Sequence, residues 1–157
     1  TLGYYYKKKD DLLYAIMEQE NTFTQEITTK MIEKPSKSDI DNLKKEIING
    51  MLNRFSDIEK TKLNLYLQCE ALQGNEELKN KFKKKYNEWL KNLENIITHI
   101  YEVEQSPLTK AIASIILASI EGICIQKALR KNDEINDELI LKILNLLLSI
   151  DLRKTDL

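Results

Sequence analysis

Three groups of residues in this 157-residue chain carry side chains suited to chemistry. The first is the opening run Thr1-Leu2-Gly3-Tyr4-Tyr5-Tyr6-Lys7-Lys8-Lys9-Asp10-Asp11-Leu12-Leu13. Neighbouring tyrosines on a helix point about 100° apart, so they cannot all face a core. Exposed phenols beside lysines supply the hydrogen-bond donors and point charges that hold a phosphate backbone. Taken alone, three lysines in a row equally suit a solvated turn. The second group surrounds Glu70, which by helical phase falls among Leu63, Tyr66 and Leu67. A carboxylate in an apolar arc costs several kcal/mol, of order 2–5, unless paired. One reading is an anion awaiting a cationic effector, with Tyr66, Tyr86 or Trp89 as aromatic walls and Phe55 and Leu93 beside them. The other is a Glu70 that reaches solvent or a lysine of the next helix, with the aromatics serving as plain core. Glu121 admits the same alternatives, with a hydrogen bond between subunits as a third. The last group is Lys79, Lys81, Lys83, Lys84 and Lys85, which wrap a helix and so read as a solvated start to it, or else as a second contact to a DNA backbone.

Other chemistries lack their residues. His99, Cys69 and Cys124 stand too far apart for metal-ligand spacing, and no nucleophile–base pair or glycine-rich phosphate loop occurs. The sequence therefore predicts neither catalysis nor a metal or cofactor, with His99 at the flank of an apolar stripe. The cysteines could pair, but both read as buried free thiols of a reducing, cytoplasmic setting. Lys plus Arg number 24 against 25 Asp plus Glu, so any contact with nucleic acid is local. The apolar run from Ala111 to Leu129 is interrupted by Glu121 and Lys127, which predicts a buried helix and no membrane partner. The chain opens at Thr1 without a signal-peptide pattern, as a truncated product or one with an unseen N-terminus would.

Helices must position these groups. Four glycines and two prolines are too few for the turns of an all-β fold. Apolar residues instead recur with helical period in six segments. Leu12, Ile16, Phe23, Ile27 and Met31 mark a helix over about Lys9 to Glu33, broken by Pro35. Ser38 caps a second, striped by Ile40, Leu43, Ile47, Met51 and Phe55. A capping box at Ser56 and Glu59 opens a third, bearing Ile58, Leu65, Cys69 and Leu72 and ending at Gly74. Asn75 caps the longest, to about Glu104, with Phe82, Tyr86, Trp89, Leu93, Ile96 and Ile100 on one stripe. Ser106-Pro107 starts a fifth, to about Arg130, and the sixth covers about Asn136 to Asp151. The predicted fold is an all-α helical bundle.

The last two helices carry more apolar surface than one core needs. Leu139, Ile140, Leu141, Ile143, Leu144, Leu146, Leu147, Leu148 and Ile150 cover an arc of roughly 220°, about twice what one-sided packing uses. The fifth helix has large residues, Ile112, Ile116, Ile120 and Ile123, on one face. Small ones, Ala111, Ser114, Ala118 and Gly122, lie on the other. This predicts a homodimer through a four-helix interface to which those small residues and Leu144, Leu147 and Leu148 of the last helix contribute. The alternative is a central helix in a monomer.

The opening thirteen residues resemble the end of the helix-turn-helix in TetR-family transcriptional regulators. Threonine, leucine, a run of aromatics, lysines, an acidic pair and two leucines follow one another there in the same order. The resemblance implies that Thr1, Gly3, Tyr4 and Tyr5 lie on the DNA side of a recognition helix. It places Tyr6 in its core, Lys9 on a phosphate, and Leu12 and Leu13 beneath. Gly3 departs from the tyrosine common at its position, and the family's first two helices would precede Thr1. The stretch Ile116 to Ile123, with Gln126, resembles the family's penultimate helix more loosely. What this implies is a remnant of the DNA-binding unit and a linker helix in residues 1–33, then a ligand-binding and dimerisation domain in 38–157. The implied function is a homodimeric repressor on operator DNA, released by a small-molecule effector. The alternative from the residues alone is a helical interaction or lipid-carrier bundle with no DNA role.

Overall fold

The structure, a computed structural model, describes residues 9–15, 18, 37–130 and 136–148, and the backbone alone of 37–40, 43, 147 and 148. Thr1, Gly3, Tyr4, Tyr5 and Tyr6, and the side chains of Leu147 and Leu148, lie outside the described residues. So do Ile16, Phe23, Ile27, Met31 and the predicted domain boundary, and the side chains of Ser38, Ile40 and Leu43. Six helical segments and no strand are present among the described residues. These are α1 over residues 9–15, α2 (Lys37–Ser56), α3 (Ile58–Leu72), α4 (Glu76–Tyr101), α5 (Pro107–Leu129) and α6 (Asp137–Leu148). The protein is an all-α bundle, as its periodicity predicts.

The helix ends are set by local chemistry. Asn75 accepts from the Leu78 amide at 3.1 Å. Ser106 and Thr109 close a reciprocal capping box ahead of α5, with Pro107 in the first helical position. At α3 the cap is Asp57, not Ser56: its carboxylate takes the Lys60 amide at 3.0 Å. The Ser56 hydroxyl turns back to the Leu52 carbonyl at 3.0 Å. Gly74, at φ 122°, lets the chain turn out of α3 where a Cβ would be strained. Helix α4 stops at Tyr101 because Glu102 adopts the left-handed conformation, φ 53°.

Helix α5 is the most widely packed, against α2, α3 and α4; α4 also packs on α3, and α2 also closes against α6. Leu67, Ala71, Leu78 and Phe82 join α3 to α4. Ile97, Ala113 and Ile116 join α4 to α5. Phe55, Cys124 and Leu141 join α2, α5 and α6, with Leu144 partly buried beside them. Leu144, expected on a dimer face, thus packs in the chain's own core.

Two helical phases differ from expectation. On α3 the buried residues are Thr61, Leu67 and Ala71, whereas Cys69 and Leu72 are exposed. Cys69 is therefore not the buried thiol its apolar neighbours suggest, and only Cys124 is. Helix α3 carries apolar side chains around most of its circumference, so its own pattern fits two stripes, and packing against α1 and α4 selects one. On α1 the inward residues are Asp10 and Tyr14, 3% and 4% exposed, while Leu12 is 63% exposed. Leu13 packs against the core but Leu12 does not. Polar groups can face inward there because partners await them. Asp10 accepts from the Tyr66 hydroxyl at 3.2 Å and the Asn75 amide at 3.4 Å. The Tyr14 hydroxyl donates to the Lys81 carbonyl at 3.1 Å.

The lysine run is not uniformly solvated either. Lys79, Lys83 and Lys84 are exposed, but Lys81 pairs with Asp11 at 2.8 Å. Lys85 is buried, 3.7 Å from Glu18 and stacked near the Tyr14 and Trp89 rings. Burial lowers its pKa, and the nearby Glu18 and Glu88 charges oppose that. These lysines fasten α1 to the bundle.

Helix α5 is not buried as a whole. By length and composition it could span a membrane, yet it packs on one side only. Ala113, Ile116, Cys124 and Lys127 face the bundle, while Ala111, Ser114, Ile115, Ala118 and Leu129 are exposed. The two charges that interrupt the run in sequence both find partners across the bundle. Glu121 meets Tyr86 and Lys127 meets Asp137, each at 2.5 Å. The outward face they leave is uncharged from Ala111 to Gly122, and a Cβ added at Gly122 would meet nothing within 4 Å. Leu139, Ile143 and Leu146 of α6, three residues on one helical face, are exposed as well.

Candidate functional site

Between α2, α3, α4 and α5 lies a cavity of about 660 Å³, within the size range of small-molecule sites. Its apolar wall comes from Ile47 and Met51 of α2, Trp89, Leu93 and Ile96 of α4, and Leu117, Ile120 and Cys124 of α5. Its polar wall is the end of α2 and start of α3: Glu46, Asn49, Asn53, Arg54, Asp57, Lys60 and Asn64, with Glu121 opposite on α5. Four-residue helical spacing explains why Lys60 and Asn64 point together from α3. Gly50 completes the α2 side.

A hydrogen-bonded chain backs the cavity. The Gln68 amide donates to the Tyr86 hydroxyl at 3.0 Å, and that hydroxyl donates to Glu121 Oε1 at 2.5 Å. Burial raises the pKa of Glu121; the Tyr86 hydroxyl, the Arg54 charge and the Gln68 amide hold it down only in part. Burial, and then the hydrogen bond to Glu121 and that residue's charge, push the Tyr86 phenol well up. Tyr86 also meets Trp89 edge-to-face, 5.4 Å between centroids. Arg54 spends its Nη1 donor on Thr61 Oγ1, 2.9 Å away, and on the Asp57 carbonyl at 3.4 Å. Burial raises the Cys124 thiol. Asn64 Oδ1 is buried and accepts no hydrogen bond.

Of the six residues that the sequence suggests for a ligand, Trp89 and Leu93 line this cavity and Tyr86 stands behind it. Phe55 is in the core, 1% exposed. Tyr66 faces α1 through Asp10. Glu70 is half-exposed, lies off the cavity, and receives the Asn75 amide on its carbonyl at 3.2 Å. Glu121 occupies the place foreseen for Glu70. Arg54, Lys60, Asn64 and the α2 amides are not foreseen. Glu46, Gly50, Asn53 and Asp57 form one polar stripe, and in sequence such a stripe is indistinguishable from a solvated face. No cluster of metal-binding side chains occurs among the described residues.

Fold and cavity together define an all-α bundle with a small-molecule-sized site at its centre and an uncovered apolar face on its last two helices. Comparison with known proteins finds no matching family model, no similar curated protein and no similar solved structure.

Proposed function

We propose that this chain is the effector-binding and dimerising part of a TetR-type repressor. It binds operator DNA as a homodimer in the cytoplasm and is released by a small molecule held in the four-helix cavity. The observation that carries this reading is the docking of α1. The stretch resembling the end of a DNA-reading helix is followed in sequence by a helix fastened to α3 and α4 by Asp10, Asp11 and Tyr14. Helix α3 presents Lys60 and Asn64 to the cavity and Tyr66 to α1, so a ligand that shifts α3 shifts α1 with it. Lys9 is exposed beside the Tyr66 ring, at 5.5 Å, where a phosphate can reach it.

The test uses the chain extended by the helices that the resemblance places ahead of Thr1. Selection from random duplexes should yield a two-fold symmetric site. Lys9→Ala should weaken binding to all sequences about equally and lower the salt slope by about 1. Failure to select any sequence would favour a carrier bundle without a DNA role.

The dimer is supported by the uncharged face of Ala111, Ser114, Ala118 and Gly122, continued by the exposed Leu139, Ile143 and Leu146. Small side chains let a second helix approach closely. Ala118 is exposed in the single chain, so Ala118→Arg should leave the thermal unfolding transition in place. In a two-fold interface the added volume occurs in both copies, at about 1–3 kcal/mol each. Sedimentation should therefore show a folded monomer where the parent is a dimer. A parent that sediments as a monomer and co-floats with lipid vesicles would assign this face to a bilayer instead.

A further inference from the structure

Arg54 stands in the last turn of α2 and lines the cavity, at helical spacing from Ile47, Gly50 and Met51 of the same wall. Its guanidinium is held from one side. Nη1 donates to Thr61 Oγ1 at 2.9 Å and to the Asp57 carbonyl at 3.4 Å. Thr61 is 3% exposed and lies outside the lining, so this grip anchors the group from behind the wall. Among the described residues, Nε and Nη2 meet no protein acceptor, and no carboxylate stands within ion-pair distance of the guanidinium. Those two nitrogens form the edge that grips a carboxylate through two parallel N–H bonds. The acids of the lining do not use it. Glu121 feels the Arg54 charge through space, but its carboxylate is hydrogen-bonded by the Tyr86 hydroxyl and the Gln68 amide. The Asp57 carboxylate takes the Lys60 amide while capping α3.

We propose that this cavity binds a hydrophobic monocarboxylate, gripped by the Nε–Nη2 edge of Arg54, with its apolar body lying along Met51, Trp89, Leu93 and Ile120. A charge-assisted hydrogen bond of this kind is about twice as strong as a neutral one. Thr61 fixes the guanidinium before the ligand arrives, so little ordering is left to oppose binding. Glu46, Asp57 and Glu121 outnumber Arg54 and Lys60 in the lining, which disfavours a ligand of two negative charges. Burial favours the neutral form of Glu121, and this weakens its opposition to a single one. The assignment names the effector class for the function proposed above and rests on that reading only for its biological meaning. The binding itself is a property of the bundle alone.

Trp89 is the single tryptophan of the chain, so its fluorescence reports the cavity directly. Four matched probes separate the possibilities: 4-phenylbutyrate, 4-phenylbutanol, 4-phenylbutylamine and 4-phenylbutyl phosphate, titrated into the chain without DNA. The butyrate should give a saturable change and bind about ten-fold or more tighter than the alcohol. The amine should be weakest. Arg54→Lys keeps the charge but loses the fork, and should cut butyrate affinity about ten-fold while leaving the alcohol within about two-fold. Thr61→Val leaves the lining intact and frees the guanidinium, so it too should weaken the butyrate more than the alcohol. Glu121→Gln keeps an acceptor for Tyr86 and should hold or tighten butyrate binding. Loss of the butyrate in Glu121→Gln, or tighter binding of the amine or the phosphate, would overturn the proposal. Equal binding of all four, or no saturable change with any, would also overturn it. Butyrate binding that fails to alter DNA affinity in the extended chain would support the carboxylate site and count against the repressor reading.

Discussion

Phe55→Ala is expected to destabilise the protein by about 3–5 kcal/mol, the range for emptying a buried phenylalanine site. Phe55 is 1% exposed and ties α2 to Cys124 of α5 and Leu141 of α6, with Ile48, Leu52 and Leu144 around it. Three helices share that contact, so none can collapse into the gap without losing its packing elsewhere. The Lys127 ammonium, 6.0 Å from the ring centroid, also loses its aromatic neighbour. Urea unfolding should show a lower midpoint with an unchanged slope. In the fraction that remains folded, affinity for a cavity ligand should match the parent, because Phe55 lies outside the cavity lining. A loss under about 1 kcal/mol accompanied by altered ligand affinity would instead make Phe55 part of the site.

Lys127→Met should cost about 2–4 kcal/mol by leaving the Asp137 carboxylate without its cation. Lys127 is 6% exposed and its ammonium meets Asp137 Oδ2 at 2.5 Å, while Oδ1 is buried without a partner. The Asp137 side chain keeps about a quarter of its surface in water and stands in the first turn of α6, where the helix dipole favours an anion. Both circumstances place the loss below the upper end for a fully buried pair. The double change Lys127→Met with Asp137→Leu should recover most of it, since apolar groups of similar size replace a desolvated pair with little net effect. A double-mutant cycle by urea unfolding should give a coupling of about 1–3 kcal/mol. Additive losses would mean that the pair contributes nothing beyond its separate side chains. Because this contact fixes α6 against α5, the single variant should also weaken the proposed dimer, whose face includes the exposed Leu139, Ile143 and Leu146.

The order of helices, the caps at Asn75 and Ser106 and the stop at Gly74 follow from the sequence, because each depends on residues within one turn of the chain. The core face of α5 and most of the α4 stripe follow as well, since large aliphatic and aromatic residues sit on one side. The rotation of α1 and α3 does not. Tyr66 serves α1 and not the cavity because Asp10, 56 residues away, lies within reach of its hydroxyl. Lys85 is buried because Glu18 and two aromatic rings surround it, though in sequence it is one lysine of five. The cavity shows the same division. Trp89 and Leu93 could be named from their stripe, but Arg54, Lys60 and Asn64 sit on faces that look solvated until α4 and α5 stand opposite them. Glu121 and Lys127 break an apolar run in sequence, yet Tyr86 and Asp137 draw them inward and leave the outer face of α5 free of charge up to Gly122. Local chemistry decides where a helix begins and ends; which way it is turned depends on partners far along the chain, and only the assembled bundle brings those together.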